Sequence, residues 1–295
     1  MKHTIIRTNS PHAWLLAARP KTLTGAAVPV MIGVASAVGN GHFQWIPAVL
    51  CFLFAFLMQT DANFINDYFD FRKGLDDETR LGPKRACAEG WITLPAMRKG
   101  IAATTAASCL AGLPLICFGG LTMMLVGLCC VVFCFLYTTC MARLGLGDLL
   151  VLVFFGIVPV CTTYYLQGGM PTPAVWTLSV ACGLVIDCLL IVNNYRDRDN
   201  DRAGGKITLV VRIGEKASER IYLGLGLTAV ALCQVLWTTG KPAAALLPAA
   251  YLVPHVATWR HIVRLKQGRE LNKCLGETAR NIFLFGILLS IGLII

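Results

Sequence analysis

Charged residues are scarce in this chain, and long stretches of it contain none. Asp, Glu, Lys and Arg make up 14% of the residues, whereas about a quarter of a soluble domain is charged. The charge-free stretches are 22–60, 101–142, 149–186, 221–240, 242–259 and 281–295. Because a helix needs about 20 apolar residues to cross a bilayer, each longer stretch holds two spans or one span and a turn. The shortage of charge excludes a soluble protein and predicts a membrane protein.

The chain also lacks the cysteine patterns of metal-binding and redox proteins. It has 13 cysteines, but none forms a Cys-x-x-Cys pair or stands at the spacing of zinc ligands, and most lie in apolar stretches. Cysteines in such positions behave as small hydrophobic residues. The spacing therefore argues against a structural zinc site and a dithiol redox site.

Glycine, proline and short polar breaks divide the apolar stretches into about nine predicted transmembrane helices. We expect them at 23–39, 45–66, 99–118, 120–142, 148–166, 173–195, 220–239, 243–260 and 279–295. The fold class is then an all-α integral membrane protein in which residues 1–295 form one domain. Two four-helix halves, roughly 12–142 and 148–262, are followed by the ninth helix at 279–295.

Basic residues are distributed unevenly between the two sides of this predicted bundle. With the N-terminus on the cytoplasmic side, 25 of the 26 Lys and Arg residues fall on that side and only Lys241 on the other. Such loops stay in the cytoplasm during membrane insertion. We therefore expect a multi-pass protein of the inner (cytoplasmic) membrane with its active-site loops in the cytoplasm. The bilayer accounts for the net charge of +10, so no nucleic-acid partner is expected.

A first cluster of Asn and Asp lies at the predicted cytoplasmic end of the second span, in the segment NFINDYFDF at 63–71. Asn63, Asn66, Asp67 and Asp70 stand at i, i+3, i+4 and i+7. This spacing places all four on one face of a helix.

A second cluster lies at the predicted cytoplasmic end of the sixth span, in the segment NNYRDRDND at 193–201. Asn193, Asp197 and Asp201 stand at i, i+4 and i+8, again on one helical face. Asp67 and Asp197 both end spans that run in the same direction, so the two clusters are predicted to meet at one side of the membrane.

Like charges on one helical face repel each other, and a carboxylate near the membrane core costs roughly 2.5–3.5 kcal/mol on insertion scales. A helix can keep several acids on one face where a bound cation offsets their negative charge. Carboxylate and amide oxygens suit Mg²⁺, which often shares its coordination with phosphate oxygens. Basic residues lie among the acids, and basic groups pair with oxyanions. The two clusters therefore predict a diphosphate site, the alternative being solvated loop charges with a positive-inside bias.

Four segments together resemble the UbiA superfamily of intramembrane prenyltransferases, over nearly the whole chain. The segments are RPKTL (19–23), NDYFDFRKGLD with RLGPKRA (66–76 and 80–86), GLGDLLVLVFFG with TYYLQ (145–156 and 163–167) and NNYRDRDNDRAGGKITLVVRIG (193–214). Within the superfamily they are most similar to the menaquinone-pathway group, which prenylates 1,4-dihydroxy-2-naphthoate. The resemblance implies helices around a central cavity, two Mg²⁺ ions and a polyprenyl diphosphate as the donor.

The two clusters, the basic residues among them and the resemblance together give a set of expected site residues. The metal ligands would be Asn63, Asn66, Asp67, Asp70, Asp197 and Asp201, whose four carboxylates are also the expected catalytic groups. The diphosphate would be bound by Arg72, Lys84, Arg85, Lys206 and Arg212. Further substrate contacts would come from Arg19, Lys21, Asp61, Asp76, Tyr137, Asn193 and Asn194.

Several interpretations remain open on sequence alone. Asp61 could line the cavity or could be a hydrogen-bonded acid between helices, whereas for Asp187, deep in the sixth span, a structural role is favoured over catalysis. Arg19 and Lys21 could bind the naphthoate carboxylate or anchor the chain at the membrane surface. Two other functions are considered: a prenyltransferase for another aromatic acceptor such as 4-hydroxybenzoate, and an ion-coupled transporter. The prenyl chain length and the oligomeric state are not encoded in any recognisable pattern.

Overall fold

A computed structural model describes residues 6–74 and 80–295, and every regular element in these two ranges is helical. Within them, eight helices are long and apolar enough to cross a membrane. They are α1 (Pro11–Val38), α2 (Trp45–Arg72), α3 (Leu94–Gly119), α4 (Thr122–Thr139), α5 (Gly147–Leu166), α6 (Pro173–Ala203), α7 (Glu215–Thr239) and, after the helical segment α8, α9 (Leu271–Ile294). The predicted all-α membrane fold is confirmed.

The segment α8 lies where the eighth of the nine spans is predicted, and it is an interrupted helix. It consists of Pro242–Leu246, a 3₁₀ stretch over Leu247–Tyr251 and a helix over Leu252–Leu265. Pro248 has no backbone N–H to donate, which favours a break of the α-helical pattern at this point. The count of nine is therefore approximate: eight helices meet the length and composition of a span, and α8 completes the bundle as a broken ninth.

The first helix is bent just before the predicted first span. It begins as Pro11–Ala18, where the Ser10 side chain accepts a hydrogen bond from the Ala13 N–H as an N-cap. Arg19 then takes a left-handed conformation with φ of +50°, and the main part of the helix starts at Leu23. This bend directs the Arg19 side chain toward the second helix.

The fifth helix contains a π-helical stretch over Leu152–Ile157. Pro159 cannot donate a hydrogen bond to the Phe155 carbonyl, and that carbonyl instead accepts the thiol of Cys182 on α6 at 3.7 Å. A Cβ on Gly156 would lie 2.5 Å from the Ser179 carbonyl oxygen and 2.7 Å from the Gly183 Cα. Only glycine allows α5 and α6 to approach this closely.

The helices bury a common apolar core and leave apolar side chains on the outside. The core of α1, α5, α6 and α9 includes the fully buried Val28, Val160, Val185 and Phe285. The outer surface carries large apolar residues, such as Trp45 at 74% exposure. An apolar exterior around an apolar core is the arrangement of a multi-pass membrane protein.

Lys241 ties the ends of two helices together at the side of the bundle opposite the Asn/Asp clusters. Its ammonium group donates hydrogen bonds to the carbonyl of Gly39, which follows α1, and to that of Leu293 near the end of α9. Carbonyls at helix C-termini have no partner within the helix. Lys241, the one basic residue predicted on the outer side, thus donates hydrogen bonds to two such carbonyls.

Candidate active site

Asp67 is the anchor of the loop that follows the first cluster. Its carboxylate is fully buried and accepts the backbone N–H of Ala86 at Oδ2 and of Cys87 at Oδ1, both at 2.9 Å. The Arg19 guanidinium, directed inward by the bend in α1, lies 3.6 Å from Oδ2. Both oxygens expected to hold a metal ion therefore bind the backbone of the loop at 80–87.

The same loop reaches the second cluster. The Leu81 carbonyl accepts a hydrogen bond from the Asn272 amide at 2.8 Å, and the Asn272 amide oxygen accepts one from Arg196 at 2.8 Å. A Cβ on Gly82 would lie 2.9 Å from Nη2 of Arg196, so the loop backbone passes directly over this guanidinium. The loop therefore brings the ends of α2 and α6 together, and we call this end of the bundle the motif end.

At the motif end, the remaining acids of the two clusters also have basic partners. Asp70 lies 3.3 Å from Arg85, Asp197 accepts Nε of Arg196 at 2.8 Å, and Asp201 lies 3.2 Å from Lys206. With the Arg19–Asp67 contact these form four acid–base pairs. In each pair, the basic side chain offsets the charge of a carboxylate for which the sequence predicts a bound cation.

The asparagines of the first cluster fasten α2 to its neighbours. The Asn63 amide donates to the Ala18 carbonyl and to the Thr22 hydroxyl, both at 2.9 Å, and thus holds the bend in α1. The Asn66 amide oxygen accepts the hydroxyl of Thr138 on α4. The structure therefore uses Asn63 to position Arg19 and Asn66 to join α2 to α4.

Oxygen donors for a hard cation are present at the motif end, although they are not yet gathered around one point. Within residues 6–74 and 80–295, no three His, Cys, Asp or Glu side chains converge as a ready-made metal site. The acids stand on α2 and α6 beside basic partners, and carboxylate and amide oxygens are the ligands that Mg²⁺ takes in proteins. The residues fit a magnesium ion in chemical type.

The five residues expected to bind diphosphate fall into three groups. Arg85 is buried beside Asp70 and Lys206 pairs with Asp201, so both belong to the motif end. Arg212 donates to the Leu144 carbonyl at 2.9 Å and joins the second motif's loop to the start of α5. Two side chains point elsewhere: Arg72 is exposed and lies over the Tyr68 ring, and Lys84, 69% exposed, pairs with Glu89.

The remaining expected contacts are placed as follows. Lys21 is exposed and Asn194 is buried, while the Asn193 amide oxygen accepts Nη2 of Arg196 at 2.9 Å. Asp61 is fully buried, and its two oxygens accept the hydroxyls of Thr104 and Thr105 on α3. These contacts give Asp61 the role of a hydrogen-bonded acid between helices. Asp76 lies outside the described residues.

Arg196 and Asn272 are the residues of this site that the sequence did not single out. Arg196 is 2% exposed and contacts Asn193, Asp197 and Asn272, which makes it the centre of the second cluster. Its place inside NNYRDRDND was a usable signal, because an arginine next to an acid at a helix end has a partner within reach. Asn272 stands 76 residues further on, at the start of α9, and no pattern points to it.

Replacing Asp67 by Asn should loosen the loop at 80–87, because an amide offers one acceptor oxygen where the carboxylate offers two. Losing one buried hydrogen bond to a charged acceptor corresponds to about 1.5–3 kcal/mol. Hydrogen exchange of the Ala86 and Cys87 amides should then become about tenfold faster or more in D67N. E89Q is the matched control, since the Glu89 side chain pairs with the exposed Lys84. Unchanged exchange in D67N would show that Asp67 does not anchor the loop.

Comparison with known proteins identifies relatives of the whole chain. The sequence profile of the UbiA prenyltransferase family matches residues 26–285. The 1,4-dihydroxy-2-naphthoate octaprenyltransferase of Escherichia coli (strain K12) is 38% identical over 219 residues, which cover 71% of this chain and 71% of that protein. The octaprenyltransferase of the same name from Haemophilus influenzae is 34% identical, with 96% of both chains covered.

Two solved structures share the fold at low sequence identity. The apo structure of a UbiA homolog from Aeropyrum pernix K1 superimposes with a TM-score of 0.68 at 20% identity, over 92% of this chain and 96% of that one. A UbiA homolog from Archaeoglobus fulgidus bound to DMAPP and Mg²⁺ gives 0.62 at 14% identity, over 94% and 99%. The profile match and the identity to the bacterial relatives establish the family: the chain belongs to the UbiA prenyltransferases.

Proposed function

We propose that this protein transfers a polyprenyl group from a polyprenyl diphosphate to 1,4-dihydroxy-2-naphthoate, with release of diphosphate and carbon dioxide. The observation that carries the proposal is the convergence of two Asn/Asp clusters, from α2 and α6, at the motif end. Relatives named for this reaction are 34–38% identical, and a family member of the same fold has been solved with DMAPP and Mg²⁺.

Asn66, Asp70, Asp197 and Asp201 would hold the metal, as two Mg²⁺ ions. Bound Mg²⁺ supplies positive charge that stabilises the departing diphosphate. Asp67 has a different task, because its oxygens bind the loop at 80–87. We therefore propose a positioning role for Asp67 in place of the metal ligation expected from the sequence, and the same for Asn63, whose amide holds the bend in α1.

The basic partners of the acids are the groups that would receive the diphosphate. Arg85 and Lys206 contact Asp70 and Asp201, so a cation bound by the acids frees the guanidinium and ammonium groups for the substrate oxygens. Charge-assisted hydrogen bonds of this kind are among the strongest in proteins. An exchange of partners would keep every buried charge compensated before and after the donor binds.

The apolar helices supply the environment that the reaction requires. Ionisation of the allylic C–O bond gives a cation that water would capture, so the cation needs a site from which water is excluded. The prenyl tail remains in lipid, since each buried methylene contributes about 0.8 kcal/mol. We place the motif end in the cytoplasm and the protein in the inner membrane, because the basic residues lie almost entirely at that end.

The two alternatives are weaker on specific grounds. An acceptor such as 4-hydroxybenzoate would leave the donor site unchanged, but the relatives considered above are named for the naphthoate. An ion-coupled transporter would place its acids near the membrane midplane beside broken helices. Here the acids of the two clusters lie at one end of the bundle and pair with Arg and Lys. The pairing favours a phosphate-binding site over an ion pathway.

The metal assignment predicts a loss of turnover when the acids become amides. D70N, D197N and D201N should each lower kcat by at least about 100-fold, since each removes charge from the group that stabilises the leaving diphosphate, and EDTA should abolish turnover of the unmodified protein. D199N is the matched control, because Asp199 lies in the same motif and is exposed. Prenyl transfer is measured at saturating Mg²⁺, and near-normal rates in D70N and D197N would contradict the two-cluster site.

The structure predicts different roles for Arg85 and Arg72, which the sequence assigns alike to diphosphate binding. R85Q should weaken Mg²⁺-dependent binding of a polyprenyl diphosphate by roughly tenfold or more, because a charged hydrogen bond contributes about 1.5–3 kcal/mol. R72Q should change the Kd by less than about twofold, since Arg72 is exposed and stacks on Tyr68. Equal effects of the two variants would restore the original assignment of Arg72.

The identity of the acceptor is tested by product analysis. Purified protein is incubated in detergent with Mg²⁺, a polyprenyl diphosphate and either 1,4-dihydroxy-2-naphthoate or 4-hydroxybenzoate, and the lipid extract is examined by mass spectrometry. We expect a prenylated, decarboxylated naphthoquinol that disappears with EDTA. Product from 4-hydroxybenzoate alone would retain the chemistry and overturn the proposed acceptor.

A further inference from the structure

Two carboxylates lie within the membrane-spanning part of the bundle and have no role in the donor site described above. Asp148 stands in the first turn of α5, and Asp187 lies in the middle of α6. Gly147, the residue before Asp148, packs against Leu190, which follows Asp187 by three residues on α6. The two acids come from different helices and from sequence positions 39 residues apart, so the fold, and no local motif, creates this pair.

The packing of α5 on α6 fixes where Asp187 points. A Cβ on Gly147 would lie 3.3 Å from the Leu190 side chain, and Gly156 meets Gly183 further along the two helices. Asp187 follows Gly183 by four residues and precedes Leu190 by three, which places all three on the same face of α6. The carboxylate of Asp187 therefore faces α5, between these two contacts.

One oxygen of each carboxylate lacks a partner. Asp187 is 6% exposed, and in the part of the chain that the structure describes its Oδ1 has no hydrogen-bond partner and almost no contact with solvent. Oδ1 of Asp148 likewise has no hydrogen-bond partner and almost no contact with solvent. An unsatisfied buried polar group costs about 1–3 kcal/mol, more for a charge. Asp61 shows the contrast, because both of its oxygens are bonded to hydroxyls.

A buried carboxylate that lowers stability needs an explanation in function. Tyr137 on α4 connects this pair to the first cluster. Its hydroxyl oxygen would lie 3.8 Å from a Cβ on Gly147, the residue before Asp148, and the next residue, Thr138, donates its hydroxyl to Asn66. Asp187 precedes Asp197 by ten residues, which is ~15 Å along a helix. This separation is longer than an aromatic ring.

We propose that Asp187, with Asp148 and Tyr137 beside it, forms the acceptor subsite and takes the proton of the acceptor's ring hydroxyl. The inference rests on the proposed function and extends it to the second substrate. A hydroxylated aromatic ring offers the O–H donors that the two free carboxylate oxygens lack. A negative charge on the pair also repels the acceptor's carboxylate, which orients the ring with its hydroxyl toward α6 and its carboxylate away.

The proton transfer completes the reaction without a further reagent. As the carboxylate-bearing ring carbon forms a bond to the allylic carbon, the allylic C–O bond breaks and its electron pair leaves with the diphosphate. The adjacent hydroxyl becomes a carbonyl by giving its proton to Asp187. The bond to the carboxylate then breaks, carbon dioxide leaves, and the electron pair restores the aromatic ring. Asp187 returns the proton to the ring oxygen.

The test compares D187N with the unmodified protein in three measurements: melting temperature in detergent, Mg²⁺-dependent Kd for a polyprenyl diphosphate, and steady-state kinetics with 1,4-dihydroxy-2-naphthoate. We expect an equal or higher melting temperature, an unchanged Kd and a kcat lower by at least about 100-fold, the usual contribution of a positioned base. D148N should raise the KM for the acceptor. D61N serves as the structural contrast and should lower the melting temperature, because it removes a satisfied acid.

The outcomes separate this inference from the proposed function. Kinetics of D187N within about twofold of the unmodified protein would overturn the acceptor subsite and leave the prenyl transfer standing. A lower melting temperature together with a weaker Kd for the donor would show that Asp187 supports the fold, and would also overturn it. If the unmodified protein prenylates no hydroxylated aromatic compound, the proposed function fails, and the subsite fails with it.

Discussion

Compensation of carboxylate charge at the end of an apolar helix bundle is the constraint on which the motif end depends. Water does not reach an acid that is buried between apolar helices, so each such acid needs a cation or a set of N–H donors. The structure meets this need with Arg19, Arg85, Arg196 and Lys206 and with the backbone of the loop at 80–87. Because these partners are also the groups that suit a diphosphate, the requirement for stability and the requirement for substrate binding are met by the same side chains.

The same constraint distinguishes structural from functional polar groups inside the membrane. Asp61 is bonded to two threonines, and His255 lies between the rings of Tyr222 and Tyr251 with its Nδ1 at 2.9 Å from the Tyr251 hydroxyl. Such groups hold helices together. Asp148 and Asp187 each keep an unpartnered oxygen beside the donor site, and an arrangement that costs stability persists where it serves binding or chemistry.

Departures from regular helix geometry bring these groups into position. The bend at Arg19 turns a guanidinium toward Asp67 and is held by Asn63. The π-helical stretch of α5 and the contact between Gly156 and Gly183 bring α5 against α6 below Asp148. Bulges of this kind are frequent at functional sites. In both places a local irregularity positions a charged side chain: Arg19 lies at the bend itself, and Asp148 lies four residues before the π-helical stretch.

The membrane class, the order and approximate position of the spans, both acid clusters and the family could be read from the sequence alone, because hydropathy, helical spacing and motifs are properties of neighbouring residues. The broken α8 was read as a regular span, since its prolines lie in an otherwise apolar run. The tertiary structure alone shows that Asp67 binds the backbone of a loop 19 residues further on and that Asp187 faces α5. These facts depend on which backbone groups and helices come together over long separations in sequence, and such contacts leave no periodic signal in the chain.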